Sequence, residues 1–345
     1  MSSRVRALVG LAAVLASLVV APPALADEPA GPGPVVDNTP AITVVNAATA
    51  RKQEVFSVEV AANAGDRRFV RTDLIVDDVT LPSGLPGIFL GVSLTCTDPS
   101  GATALDVEGG RNVWKSDAGF DIAVLGMLRS ATAGTYSCVT EVMICDPGSC
   151  TSPASQGSVT IAEGASGSGQ QSQLAVSAAL PPWARFIQIP KATDALVNPG
   201  KSLAMTKSFS FAGATGPIAM GSVLSLTNCI VKGYPTACNA APKMAVQGSA
   251  QVTVTFVVAQ KSTTTGASCA VGRAQAQTDT ITWQEHHAVV DIALPAFTLS
   301  TAPGCSPSVT ATTTVTVGSG NSVAVEGGSR KVIQSATYAL AGGVL

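Results

Sequence analysis

Apolar and polar residues alternate with period two along most of this chain, and no long stretch keeps the helical period. "QVTVTFVV" is the clearest case. Val252, Val254, Phe256 and Val258 point one way, and Thr253, Thr255 and Val257 point the other. "ITVV", "VFSVEV", "FDIAVLGML", "GSVTIA", "TATTTVTV" and "NSVAVE" read similarly. Val, Thr and Ile suit a pleated, half-buried surface, while Gly, Pro, Asp and Asn punctuate the runs. Many short strands with turn signals between them predict an all-β protein built from antiparallel β-sandwiches.

Composition divides the chain. Residues 1–26 read as a secretory signal peptide: Arg4 and Arg6 precede an apolar stretch from Ala7 to Val20, and Ala24-Leu25-Ala26 offers small residues for cleavage before Asp27. That apolar run is too short for a membrane span, and no later segment reaches the roughly 18 apolar residues one needs, so no transmembrane anchor is expected. Residues 27–35 form a Pro/Gly-rich lead-in expected to be disordered. A first sandwich is expected over 36–161, a Gly/Ser/Gln-rich linker over 162–173, and a second, larger sandwich over 174–345. A faint repeat supports the division: "IFLGVSLTC" ending at Cys96 parallels "IAMGSVLSLTNC" ending at Cys229. "IAVLGMLRSATAGTYSC" ending at Cys138 likewise parallels "VTVTFVVAQKSTTTGASC" ending at Cys269.

Eight cysteines in a chain with an export signal favour four disulfides over thiols or metal ligands. "CDPGSC" lacks the two-residue spacing of a zinc or redox knuckle, and neither histidine is near it. Cys96 and Cys138 stand at the separation of an inter-sheet staple, and the Asp146-Pro147-Gly148-Ser149 turn brings Cys145 and Cys150 within bonding reach. In the second sandwich the repeat favours Cys229–Cys269 with Cys238–Cys305. The rival pairing is Cys229–Cys238 across a hairpin, with Cys269–Cys305.

"GTYSC", Gly134 to Cys138, resembles the Tyr-x-Cys corner of immunoglobulin-like domains, with Tyr136 two residues before the cysteine. The resemblance implies that Trp114 packs on the first bridge. It covers the core of the first sandwich and only the cysteine pair of the second, where Ala267 replaces the Tyr. It implies a sandwich and transfers no function. In composition the chain also resembles uncharacterised secreted proteins of high-GC Gram-positive bacteria, rich in Ala, Val, Thr, Ser and Gly with 4% aromatic residues.

Charge narrows the partners. The formal net charge of −2 becomes −4 once Arg4 and Arg6 leave with the leader, since 18 basic residues then face 22 acidic ones. That is too weak and too evenly spread to imply nucleic acid. The Arg67, Arg68 and Arg71 cluster reads as a solvated strand end. His286 and His287 are the only histidines; on a strand they would point to opposite faces, whereas Trp283, Glu285 and His287 would share one face as a candidate ligand patch. Trp183 and Phe186 in "LPPWARFIQIP" are either exposed aromatics or an interdomain plug. No nucleophile elbow, phosphate loop or dinucleotide fingerprint occurs, so no catalytic residue, cofactor or metal is expected.

The reading that follows is a secreted, extracellular, non-enzymatic binding or cell-envelope protein, loosely surface-associated if at all. Its partner would be an unknown protein or envelope component, and the 12% charged content leaves room for self-association through apolar surface. The alternatives are a small apolar-ligand carrier, suggested by a resemblance of the short bridges to those of antitumour chromoprotein apoproteins, and a secreted hydrolase.

Overall fold

The computed structural model describes residues 35–37, 42–45, 52–81, 87–114, 120–146, 149–153, 158–161, 172–190, 193–233, 235–264, 269, 272–327 and 335–342. The expected signal peptide, all of the lead-in except Val35, and residues 162–171 of the linker lie outside the described residues.

The first part of the chain forms β1 (Val35–Asp37), β2 (Ile42–Val45), β3 (Gln53–Ala62), β4 (Arg67–Thr80), β5 (Gly87–Thr97), β6 (Thr103–Trp114), β7 (Phe120–Arg129), β8 (Gly134–Asp146), β9 (Ser149–Pro153), β10 (Ser158–Ile161) and β11 (Gln173–Val176). The second part forms β12 (Arg185–Gln188), β13 (Ala195–Val197), β14 (Lys201–Ser210), β15 (Ile218–Asn228), β16 (Ala250–Ser262), β17 (Gly272–Ile281), β18 (His287–Ala293), β19 (Cys305–Gly320), β20 (Val323–Val325) and β21 (Ala336–Ala341), with a 3-10 turn over Thr236–Ala240. Each segment picked out by alternation overlaps one of these strands. On β16, Val252, Val254, Phe256 and Val258 are buried while Val257 is 37% exposed, the two-faced pattern that its alternation dictates.

Two sandwiches stack as four layers. An outer sheet, β3-β8-β5-β6 with β9 on β8, packs on an inner sheet, β1-β11-β4-β10-β2 with β7 on the opposite edge of β4. The second sandwich repeats the plan: inner sheet β12-β21-β15-β20-β13, with β18 opposite on β15, packs on outer sheet β14-β19-β16-β17. Both inner sheets are built on one long strand, β4 or β15, with a full-length partner on one edge and two short strands sharing the other. All-β architecture with antiparallel pairing thus holds throughout the described residues.

The two inner sheets pack on each other. Phe69 of β4 and Leu125 and Met127 of β7 meet Val223 of β15 and Tyr338 and Leu340 of β21 in a third apolar cluster. Consequently β4 and β15 are buried on both faces. Val70, Leu74 and Val76 serve the first core, whereas Phe69 faces the seam. Gly221 on β15 sits directly opposite Tyr338, and a Cβ there would collide with the phenol, so the glycine makes room for the ring. Trp183 lies edge-on to Phe211 at 5.2 Å and packs against both the second core and the seam, the plug role.

Of the arginines expected to be solvated, Arg67 and Arg71 are instead part of this joint, and Arg68 is buried on the opposite face of β4. Arg68 is 1% exposed and donates to the Ala61 and Ser177 carbonyls, because its neighbours on β4 carry it beneath the chain that crosses to the second sandwich. Arg67 donates to the carbonyls of Pro182 and Ala184. Arg71 reaches Asp73 at 2.9 Å and, across the seam, Asp291 of β18 at 3.1 Å; the Tyr338 hydroxyl donates to the other Asp291 oxygen. Burial works to neutralise Arg71, but Asp73 and Asp291 outweigh it and raise its pKa. Asp291 is served less well. Burial raises its pKa against the pull of Arg71, which Asp73 shares.

The second sandwich does not begin at the linker. β11 (Gln173–Val176) pairs with β4 and β1 of the first sandwich, and Leu174 and Val176 complete that core. The boundary expected at 173/174 therefore moves past Val176, because the alternating Gln-Leu-Ala-Val run finds its apolar face in the earlier domain.

Cysteine pairing departs from the repeat. Cys96 and Cys138 are bonded, 42 residues apart, but as direct neighbours on β5 and β8 of one sheet and not as an inter-sheet staple. The corner expected from "GTYSC" is made: the buried Tyr136 hydroxyl donates to the Thr132 carbonyl at 2.9 Å. In the second sandwich the rival pairing holds, with Cys229–Cys238 and Cys269–Cys305 bonded. Cys229–Cys269 is ruled out by strand length. Asn228 bonds Gly248 and Ile281 near the start of β16, whereas the Cys269 sulfur lies beside Lys261 near its end. A strand of that length spans about 40 Å. The Cys145 and Cys150 side chains lie outside the described residues.

Two stability predictions follow from these contacts. Removing Cys96–Cys138 by a double Ala change should cost about 4 kcal/mol, against about 2.5 kcal/mol for Cys229–Cys238, since the closed loops differ in length; urea unfolding of each variant measures both. At the seam, Arg71→Met should cost about 2 kcal/mol by leaving two carboxylates without their cation, whereas Asp291→Asn should cost less than about 1 kcal/mol. Asp291 has a folded pKa above its unfolded value, so its contribution is present at low pH and lost as pH rises through the folded pKa. Asn at 291 should remove that decline, which unfolding free energies measured across the carboxylate range will show.

Candidate functional site

The turn between β17 and β18 carries the residues expected to form a ligand patch, and it is not a strand: Thr282 to His286 form an irregular turn, and β18 begins at His287. The inference that the two histidines face apart therefore fails. Their rings lie 4.3 Å apart between centroids. Each patch residue is engaged by the first sandwich or by its own. Trp283 packs edge-on against Trp114 at 5.4 Å, Glu285 pairs with Arg111 at 2.6 Å, and His286 meets the Asn112 amide at 2.6 Å. The Trp114 indole N–H donates to the Gln284 carbonyl. Trp114 thus serves this joint and does not cover the Cys96–Cys138 bridge.

His287 turns inward to Thr227 and Glu326. The Thr227 hydroxyl donates to the Glu326 carboxylate, and its oxygen lies 2.8 Å from His287 Nδ1. The same Nδ1 is 3.5 Å from Glu326. A hydroxyl, an imidazole and a carboxylate are thus assembled, but hydroxyl and carboxylate share one ring nitrogen, so the imidazole does not stand between them as a relay. Thr227 is also 1% exposed. Among the described residues, no group of three or more His, Cys, Asp or Glu could hold a metal ion, and no helix is long and apolar enough to cross a membrane.

A further recess lies elsewhere. It is a groove of about 490 Å³ walled by β6, β7, β12 and β14, one edge strand from each of the four sheets. Leu105, Val107, Met127, Phe186 and Ile187 give it an apolar floor. Asp106, Gln188, Arg129 and Lys207 supply the polar groups, with two cations against one carboxylate. Gly126 lines it as well; a Cβ there would press on Leu105 and Val107 at 3.0 Å, so the glycine lets β6 and β7 approach closely. Of these residues the sequence singled out Phe186 as an aromatic candidate. The others come from strands whose alternation marks them as one face of a sheet, and nothing local marks that face as the end of a stack.

His286 gives the joint a pH signature. Burial, then the neighbouring His287, pushes its pKa down to about 3. A histidine with a depressed folded pKa stabilises above its unfolded value and loses that contribution as pH falls through the window between the two. His286→Gln should therefore flatten the fall in melting temperature between about pH 7 and about pH 4, read by thermal unfolding in matched buffers.

No protein-family model matches the chain, and no curated protein matches it. Solved structures with some likeness include the cryo-EM structure of Broad Bean Stain Virus, at 10% identity and TM-score 0.24 over 95% of this chain and 94% of that one. A second is the N-terminal CBM22-1-CBM22-2 tandem domain of Paenibacillus barcinonensis Xyn10C, at 9% identity and TM-score 0.21 over 90% and 94%. The T13 IBDV viral particle gives 11% identity and TM-score 0.27 over 92% of this chain and 73% of that one. Likenesses this weak carry no property of those proteins to this chain.

Proposed function

We propose that this protein is exported and acts as a non-enzymatic binding protein, taking a small ligand with an apolar body and an anionic group in the groove across the four sheet edges. The groove carries the reading. Its volume suits a small organic ligand, it lies at a junction between domains, and its apolar floor meets a few polar groups. Arg129 and Lys207 are the cations placed to meet an anionic head, and Leu105, Met127 and Phe186 would cover the apolar body. Rigid seating of the two sandwiches favours such a site, because a ligand spanning four strands from four sheets needs all four held in register. Three disulfides among the described residues suit an oxidising, extracellular setting.

Decanoate serves as the probe. At about a hundredfold excess over its dissociation constant it should raise the melting temperature by about 5 °C, and decyltrimethylammonium should do so far less. Arg129→Glu combined with Lys207→Glu should reverse that preference while leaving the melting temperature without ligand nearly unchanged. No shift with either amphiphile would overturn the reading.

A further inference from the structure

β17 is the free edge of the second sandwich's outer sheet. It pairs with β16 without a register break from Ala250↔Ile281 to Ala259↔Gly272, so its other edge presents a long, regular row of backbone groups with no strand partner among the described residues. Residues 274–280 are exposed on both faces. Such an edge is a template for another strand unless it is blunted by lysine, proline, a bulge or a cover. The other outer-sheet edges have these devices. β14 carries Lys201 and Lys207, β3 carries Glu54 and Glu59 and a register break, and β6 is covered by the turn that bears Trp283. The β17 sequence, "GRAQAQTDTI", has no lysine and no proline.

Its two charges are Arg273 and Asp279, placed symmetrically about Ala276. We propose that β17 pairs antiparallel with β17 of a second copy of this chain, about a two-fold axis through Ala276, joining two four-stranded sheets into one. In that register position 273 of each copy stands opposite position 279 of the other, Gln275 opposite Gln277, and Ala274 opposite Thr278. Oppositely charged residues directly across an antiparallel pair attract, and here the pairing occurs twice. A slip of two residues either way separates both charge pairs, so the charges select one register. Small residues at 272, 274 and 276 keep the alternate face free of bulk at the axis. β14, which borders the groove, is the opposite edge of the same sheet, so the dimer leaves both grooves open and does not rest on the ligand reading.

A single strand seam buries less than the roughly 1,600 Å² of a standard interface, so the dimer should dissociate in the micromolar range. Sedimentation equilibrium of the purified protein up to ~100 μM tests this and should give a concentration-dependent dimer. Arg273→Asp, and separately Asp279→Arg, set like charges opposite twice and should each weaken dimerisation by about tenfold. The double change Arg273→Asp with Asp279→Arg restores opposite pairs and should recover the affinity. Circular dichroism confirms that each variant is folded, and hydrogen exchange of the β17 amides should slow with protein concentration in the unaltered chain. A monomer throughout that range overturns the proposal, as does a dimer indifferent to Arg273→Asp or one that the double change fails to rescue.

Discussion

Burial of β4 and β15 on both faces is the constraint on which the rest depends. A sandwich normally turns the outer faces of both its sheets to water. Here each sandwich gives one outer face to the other, and the seam combines an apolar cluster with a charged knot. Arg71 is the pivot of that knot, because it compensates one carboxylate on its own strand and one across the joint. A partly buried ion pair adds modest net stability. Its directional contacts fix which part of β4 lies against which part of β18, and the Phe69–Tyr338 ring contact at 5.6 Å joins the same two inner sheets.

With that relation set, the edges of all four sheets come together, and the groove follows. It is assembled from parts that are each ordinary: three residues of β6, three of β7, three of β12 and a lysine of β14. The turn carrying Trp283, Glu285 and His286 closes against β6 and holds that strand to the second sandwich. Trp283 and Glu285 of the expected ligand patch are thereby engaged by β6, and Glu285 and His287 also line a small recess beside Arg111 and Asp121.

Strand positions were readable because a period-two pattern is local; Val252 to Val258 dictate their own burial wherever the strand is placed. What could not be read was placement. "RRFVRTD" shows three arginines and no hint of a second sheet against the Phe69 and Arg71 face, nor of the Ala61 and Ser177 carbonyls that Arg68 meets on the other, so the cluster looked solvated. "TWQEHH" follows a strand and looked like more of one, but a turn there lets both imidazoles lie together. The cysteine repeat between Cys96/Cys138 and Cys229/Cys269 is real as sequence, yet its second members occupy unlike places: Cys138 lies beside β5, and Cys269 lies at the far end of a long hairpin. Pattern reveals what faces inward. It does not reveal which strands are neighbours.

The return of β11 to the first sandwich has a consequence for the covalent continuity of the chain. Between the end of β10 and the start of β11 the sequence from 162 to 171 is rich in Gly, Ser and Gln. A cut there would not release the two sandwiches. The fragment beginning after the cut still supplies Leu174 and Val176 to the first core and still carries every residue of the second face of the seam. The nicked molecule would persist as one particle of two chains, intact by size in native buffer and split only when denatured.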